Sequence, residues 1–152
     1  MKEKGYLCRA RPKKEPKLGK PYHVTDNKLD RDFQADKPME KLVTDITYLY
    51  LGKCKLYLSS IMALYNREIV AYTISDCQDT DFVLDTLHQL ELPQGAILHS
   101  DQGSVYTSKA YYQDCVEKGI TRSMSRKGTP ADNACIEWFH SVLKSETFYL
   151  HK

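Results

Sequence analysis

The 152-residue chain has no apolar run near the ~20 residues a helix needs to cross a bilayer. A helical membrane protein is therefore not the expectation. The start, Met1-Lys2-Glu3-Lys4-Gly5, carries no apolar leader, and the expected location is the cytoplasm. Five cysteines (Cys8, Cys54, Cys77, Cys115, Cys135) are odd in number, scattered, and never spaced as C-x-x-C. That pattern argues against a disulfide framework and against a Cys/His zinc site, and fits reduced thiols. Internal repeats are also missing. What remains is an ordinary globular composition, 41% hydrophobic and 28% charged, with enough chain for one core.

The net charge of +2 hides an uneven distribution. Residues 1–28 hold nine basic and three acidic side chains, a net of +6, and the remaining 124 residues a net of −4. Pro12, Pro16 and Pro21 interrupt this segment, so it is expected to be an extended basic arm suited to a polyanion. Residues 29–152 form the expected domain, with Phe33 in a lead-in that packs on its edge.

Residues 41–50, 55–63 and 68–74 are rich in β-branched and aromatic side chains and are separated by Gly52-Lys53 and Tyr65-Asn66-Arg67. They predict three strands in an antiparallel meander. The period then changes. Phe82, Val83, Leu84, Leu87 and Leu90 predict a helix over 80–91, capped by Asp79-Thr80-Asp81. Residues 96–100 predict a short buried strand, 107–118 a helix closed by Gly119, and 120–124 another strand. A basic loop, 125–132, has a mobile composition. A last helix starts near 131–133 and runs toward Phe148, with Ile136, Phe139 and Leu143 as its core stripe. The order β-β-β-α-β-α-β-α predicts a mixed α/β sheet covered by helices.

Three acids stand out. Asp45 lies in the apolar run Leu42-Val43-Thr44-Asp45-Ile46-Thr47-Tyr48. Asp101 ends the run Ala96-Ile97-Leu98-His99-Ser100. Glu137 lies in the last helix, with 35 residues between it and Asp101. Taken singly, each has an ordinary alternative: a solvent-facing strand Asp, a turn Asp and an exposed helix Glu. Taken together, three carboxylates on one side of a sheet suit Mg²⁺ or Mn²⁺. Two such ions about 3.5–4 Å apart can support in-line phosphoryl displacement. Lys144, seven residues after Glu137, shares nearly the same helical face, with Ser141 between them. Lys144 could meet a nearby phosphate, and Arg126 and Lys127 could contact the same backbone.

These residues resemble a known family. Thr44-Asp45-Ile46-Thr47-Tyr48, His99-Ser100-Asp101-Gln102-Gly103-Ser104 with Tyr106, and Asp132-Asn133-Ala134 leading to Glu137 and Lys144 look like the catalytic core of bacterial insertion-sequence transposases. Leu64-Tyr65-Asn66-Arg67-Glu68-Ile69-Val70 matches the turn between that family's second and third strands. This branch is similar to retroviral integrases, and the resemblance covers roughly residues 29–150. It implies an RNase H-like fold: a five-stranded mixed sheet of order 3-2-1-4-5 flanked by helices.

The resemblance also implies metal-dependent DNA strand cleavage and strand transfer. Asp45, Asp101 and Glu137 would hold two Mg²⁺ (or Mn²⁺) ions when DNA is bound, and Lys144 would orient a transposon-end phosphate. The partners it implies are terminal inverted repeats, target DNA and further copies of the chain, on the nucleoid of a bacterium and away from membranes. Leu42, Ala63 and Val105 stand where the family often has Trp, an acid and Gln. Relatives extend beyond both ends, so a core truncated at its C-terminal end is expected. The competing readings are a ribonuclease H-like or junction nuclease, and a truncated core that binds DNA or multimerises without cutting.

Overall fold

The computed structural model describes residues 23–147. Three long antiparallel strands come first: β1 (Lys41–Leu51), β2 (Cys54–Ala63) and β3 (Glu68–Ser75). Helix α1 (Thr80–Leu87) follows, then β4 (Ile97–Ser100), α2 (Lys109–Glu117) and β5 (Thr121–Met124). A single 3₁₀ turn, Pro130–Asn133, leads into α3 (Ala134–Thr147). The sheet order is β3-β2-β1-β4-β5, as expected. β1 pairs antiparallel with β2 and parallel with β4, so the sheet is mixed.

Alternation along β1 sets the layers. Leu42 points into a core shared with Phe82, Val83 and Leu87 of α1 and Tyr111 and Cys115 of α2. Val43 points the other way, into a second core with Met62, Leu29 and Ile136 of α3. Thus α1 and α2 cover one face and α3 the other. Leu42, Ala63 and Val105 are all buried. Each adds apolar packing where the resembled family often places a larger or polar side chain.

Local chemistry explains the element ends. Asp79 accepts from Phe82 N at 3.0 Å and starts α1. Ser108 accepts from Tyr111 N and starts α2. Gly119, at φ +67°, closes α2 in a conformation other residues rarely adopt.

Three expectations need correction. Helix α1 stops at Leu87 instead of 91. Leu90 N instead bonds Leu87 O, the Gln89 side chain bonds Tyr72 O, and Pro93 lies just ahead. The core stripe of α3 is Ile136 and His140; Phe139 and Leu143 are only half-buried. The loop over 125–132 is cross-tied. Buried Asp132 accepts from the Arg126 backbone N at 2.9 Å and from its Nε and Nη2 at 2.9 and 2.8 Å. Arg31 Nε donates to the same carboxylate at 2.8 Å. Polar composition suggested mobility, but one buried acid holds the loop to the lead-in.

The expected basic arm falls outside the described residues over 1–22. Its last part lies along β5. Met124 N bonds Asp26 O, Arg122 bonds His23 O at 2.7 Å, and the His23 ring stacks on Tyr112 at 4.2 Å. Leu29 and the half-buried Phe33 pack on the α3 face, as the lead-in was expected to do.

Candidate active site

The parallel pairing of β1 with β4 matches Leu42 with Leu98 and Val43 with His99. Carried two residues further, the same register sets Asp45 opposite Asp101, just past the point where the pairing ends. Both lie on the parity of Val43, the face that α3 crosses. Ile136 anchors α3 in that face, and Glu137 follows it. The result is a cleft of about 320 Å³ whose walls include Asp45, Asp101 and Glu137. The structure therefore brings the three expected acids to one cleft.

The acids sense one another. Burial, the charge of Asp45 and the charge of Asp101 push the Glu137 carboxyl above its ordinary range, against a smaller opposing effect of His140. The Asp101 carboxyl is also pushed up, by burial first and by Asp45 next, while a bond from Gly103 N at 2.8 Å works the other way. Among the described residues, no carboxylate of this cleft forms an ion pair with Lys or Arg. Its negative charge is left for a cation from outside.

The donor set is all hard oxygen, which fits Mg²⁺ or Mn²⁺ in kind. Asn133 adds to it: its Nδ2 bonds Thr44 O at 3.3 Å, and its buried Oδ1 has no hydrogen-bond partner. As placed, however, the acids do not close on one point. Among the described residues, no group of three or more His, Cys, Asp or Glu stands close enough to hold a single ion.

A second opening of about 290 Å³ continues from the first, lined by Asp45, Thr47, Glu137, His140, Ser141 and Lys144. Lys144 and Ser141 are thus beside the acids, as their helical spacing suggested. Lys127 and Arg126 line the other cleft from the tethered loop. Arg126 is placed there with its Nε and Nη2 already committed to Asp132. Lys127 is exposed.

Sequence reasoning missed His140. It is buried, its Nε2 lies 2.7 Å from Ser60 Oγ, and its Nδ1 lies 3.6 Å from Asp45 Oδ2. It ties α3 to β2 and backs Asp45. The available signal was its place one turn after both Ile136 and Glu137. Tyr106 sits beneath the acids with its hydroxyl 3.4 Å from Thr44 Oγ1. Burial, then the charge of Asp45, keeps that hydroxyl protonated well above the usual phenol range. His99, two residues before Asp101, ties β4 to the β5 side. Its two ring nitrogens lie 2.8 and 3.0 Å from the Ser123 and Ser125 hydroxyls. Burial pushes its pKa down to about 4, so the ring is neutral at pH 7.

Comparison with known proteins adds to this geometry. The putative transposase InsK for insertion sequence element IS150 of Escherichia coli K12 is 44% identical over 128 residues, covering 82% of this chain and 45% of that protein. A transposase-like protein of Haemophilus influenzae is 42% identical over 130 residues, covering 84% of this chain and 60% of that one. The chain therefore spans about half the length of these relatives. Among solved structures, a chain of the simian T-cell lymphotropic virus intasome superposes with a TM-score of 0.66 at 17% identity, over 83% of this chain and 45% of that one. The magnesium-bound catalytic core domain of HTLV-2 integrase gives 0.59 at 15% identity, over 71% and 69%. These likenesses show the fold, which is RNase H-like. The integrase core domain family matches residues 35–130. By that match the chain belongs to the integrase core domain family.

Proposed function

We propose that this chain is the catalytic core of a DNA transposase that cuts and joins DNA strands with Mg²⁺ or Mn²⁺. The observation that carries the reading is a cleft with three acids and no Lys or Arg partner among the described residues. Asp45, Asp101 and Glu137 would hold the ions. Bound metal would supply charge stabilisation to the attacking and leaving oxygens of a phosphodiester. His140, fixed on Ser60, orients Asp45 from behind. Lys144 and Ser141 bind a phosphate of the transposon end beside the acids, and Lys127 a phosphate at the other opening. Arg126 serves the loop first and DNA with its remaining donors. A 3′-hydroxyl or water can attack directly, so no covalent protein–DNA intermediate is needed.

The DNA partners are terminal inverted repeats and a target duplex. The working form is a homo-oligomer on paired ends, in the bacterial cytoplasm at the nucleoid. No helix among the described residues is long and apolar enough to cross a membrane. A core that binds DNA without cutting is the second reading, and the open spacing of the acids favours it.

Strand transfer on inverted-repeat DNA separates the two. Activity is expected with Mg²⁺ or Mn²⁺, and Asp101→Asn is expected to lower it by about a thousandfold or more. Equal product from the wild type and Asp101→Asn would overturn the catalytic reading and leave the second.

A further inference from the structure

We infer that the β1–β2 hairpin beyond the acids is a stacking platform for unpaired DNA bases. This extends the proposed function and rests on its DNA-binding part. Cross-strand pairing sets Tyr48 opposite Tyr57 and Tyr50 opposite Lys55, so the four side chains share one face of the hairpin. The Tyr48 and Tyr50 rings meet edge to face at 5.5 Å and stay 46% and 60% exposed. Lys55 Nζ lies 4.6 Å from the Tyr48 ring centre and 5.1 Å from that of Tyr57. Lys144 Nζ lies 4.3 Å from the Tyr48 ring centre.

Two cations therefore converge on one ring, and among the described residues neither makes an ion pair with a carboxylate. Tyrosine faces with lysines between them match a strand whose bases stack and whose phosphates need cations. Lys144 also lines the opening that contains Asp45 and Glu137; Tyr48 and Tyr50 lie on the opposite parity of β1, so Lys144 is the side chain that joins the platform to the acid cleft. The occupant is a single DNA strand with unpaired bases, running on from a phosphate held at Lys144. A closed duplex keeps its base faces covered and would use only the lysines.

The test uses the full chain carrying Asp101→Asn, in EDTA, so that binding is read without cutting. Fluorescence anisotropy compares one labelled duplex as a blunt end and with a short unpaired tail. The tailed DNA is expected to bind about tenfold more tightly. Replacing both rings, Tyr48→Ala with Tyr50→Ala, is expected to bring the ratio close to one, and Tyr48→Phe with Tyr50→Phe to keep it. Lys55→Ala is expected to weaken both DNAs alike and to reduce the salt dependence by about one released ion. An equal affinity for the two DNAs in the parent chain would overturn the proposal. So would a ratio that survives the double alanine change, including the case where that change instead disperses an oligomer. Failure of strand transfer in the unmutated core would sink the catalytic reading without touching this ratio.

Discussion

Asp132 and Glu137 lie five residues apart, yet their carboxylates live under opposite conditions. Asp132 is buried and takes hydrogen bonds from Arg126 and Arg31 at 2.8–2.9 Å. Hydrogen bonds from Arg126 come first among the causes that hold it far below the usual carboxylate range, against the opposing effect of burial. Glu137 is exposed, shares its cleft with Asp45 and Asp101, and is pushed up. One acid is saturated with arginines from its own chain; among the described residues the three cleft acids pair with no Lys or Arg. A carboxylate neutralised internally stabilises a fold. Carboxylates left to repel one another lower its stability and keep an affinity for an added cation.

The two clusters are also mechanically linked. The Asp132 clamp holds Arg31, in the left-handed region at φ 59°, to the loop that precedes α3. That loop feeds directly into the helix carrying Glu137. The clamp thus sets where α3 begins, and the acid cleft inherits that position.

The largest expected effect comes from breaking the clamp. Breaking a buried, hydrogen-bonded ion pair costs about 3–5 kcal/mol, and both guanidiniums here are half in solvent, so Asp132→Ala should cost about 2–3 kcal/mol. Denaturant unfolding at pH 7 would measure it. The pH dependence has a definite sign. The native pKa of Asp132 is depressed, so its contribution is present above the ordinary carboxylate pKa and is lost as pH falls through the native one. The gap between wild type and Asp132→Asn should be constant from pH 7 to about 5 and shrink below about 4. A gap that widens on acidification would show that the clamp is not electrostatic.

The acid cleft should respond in the opposite direction. Without metal, Asp101→Asn removes a repelled charge while keeping an acceptor for Gly103 N, and should leave the chain up to about 1 kcal/mol more stable. Mg²⁺ at about ten times its Kd should stabilise the wild type by about 1.4 kcal/mol and the variant by much less. Thermal melts with and without Mg²⁺, for both chains, read this out. A wild type indifferent to Mg²⁺ would mean that the acids do not gather on a cation, and the contrast with Asp132 would lose its meaning.

Much of this was legible before any coordinates. Runs rich in β-branched and aromatic residues marked β1 to β3, and the apolar runs that hold Asp45 and end at Asp101 suggested neighbouring strands with both acids on one side. The spacing of Glu137 and Lys144 placed them on one helical face. What could not be read depends on partners remote in sequence. Arg126 stands only six residues from Asp132, but the Arg31 that completes the clamp is 101 residues away and no local pattern pairs them. His140 replaced Phe139 and Leu143 on the buried face because Ser60 of β2 offers it a hydroxyl. The early end of α1 followed from a tertiary bond, Gln89 to Tyr72 O, that no helical period reveals.

The smallest expected effect tests how finely the cleft is built. Gly103 N holds Asp101 Oδ1 at 2.8 Å, and a Cβ added at Gly103 would meet the same oxygen at 2.8 Å. The next nearest atoms to that Cβ, Asp101 Cγ and Oδ2, belong to the same side chain, so Gly103→Ala should leave stability within about 0.5 kcal/mol. The carboxylate must turn aside, because carbon and oxygen cannot share that distance. With Asp101 in the proposed role of metal ligand, its displacement should lower strand transfer about fivefold, close to 1 kcal/mol in the barrier, with DNA affinity in EDTA unchanged. The clamp offers the matching control: Gly128, in the loop it holds, has nothing within 4 Å of an added Cβ, but its φ of +69° makes a side chain strained there. Gly128→Ala should therefore lower stability more than Gly103→Ala and disturb Asp101 less. If instead Gly103→Ala unfolds the chain or leaves strand transfer untouched, the position of Asp101 is not what the cleft depends on.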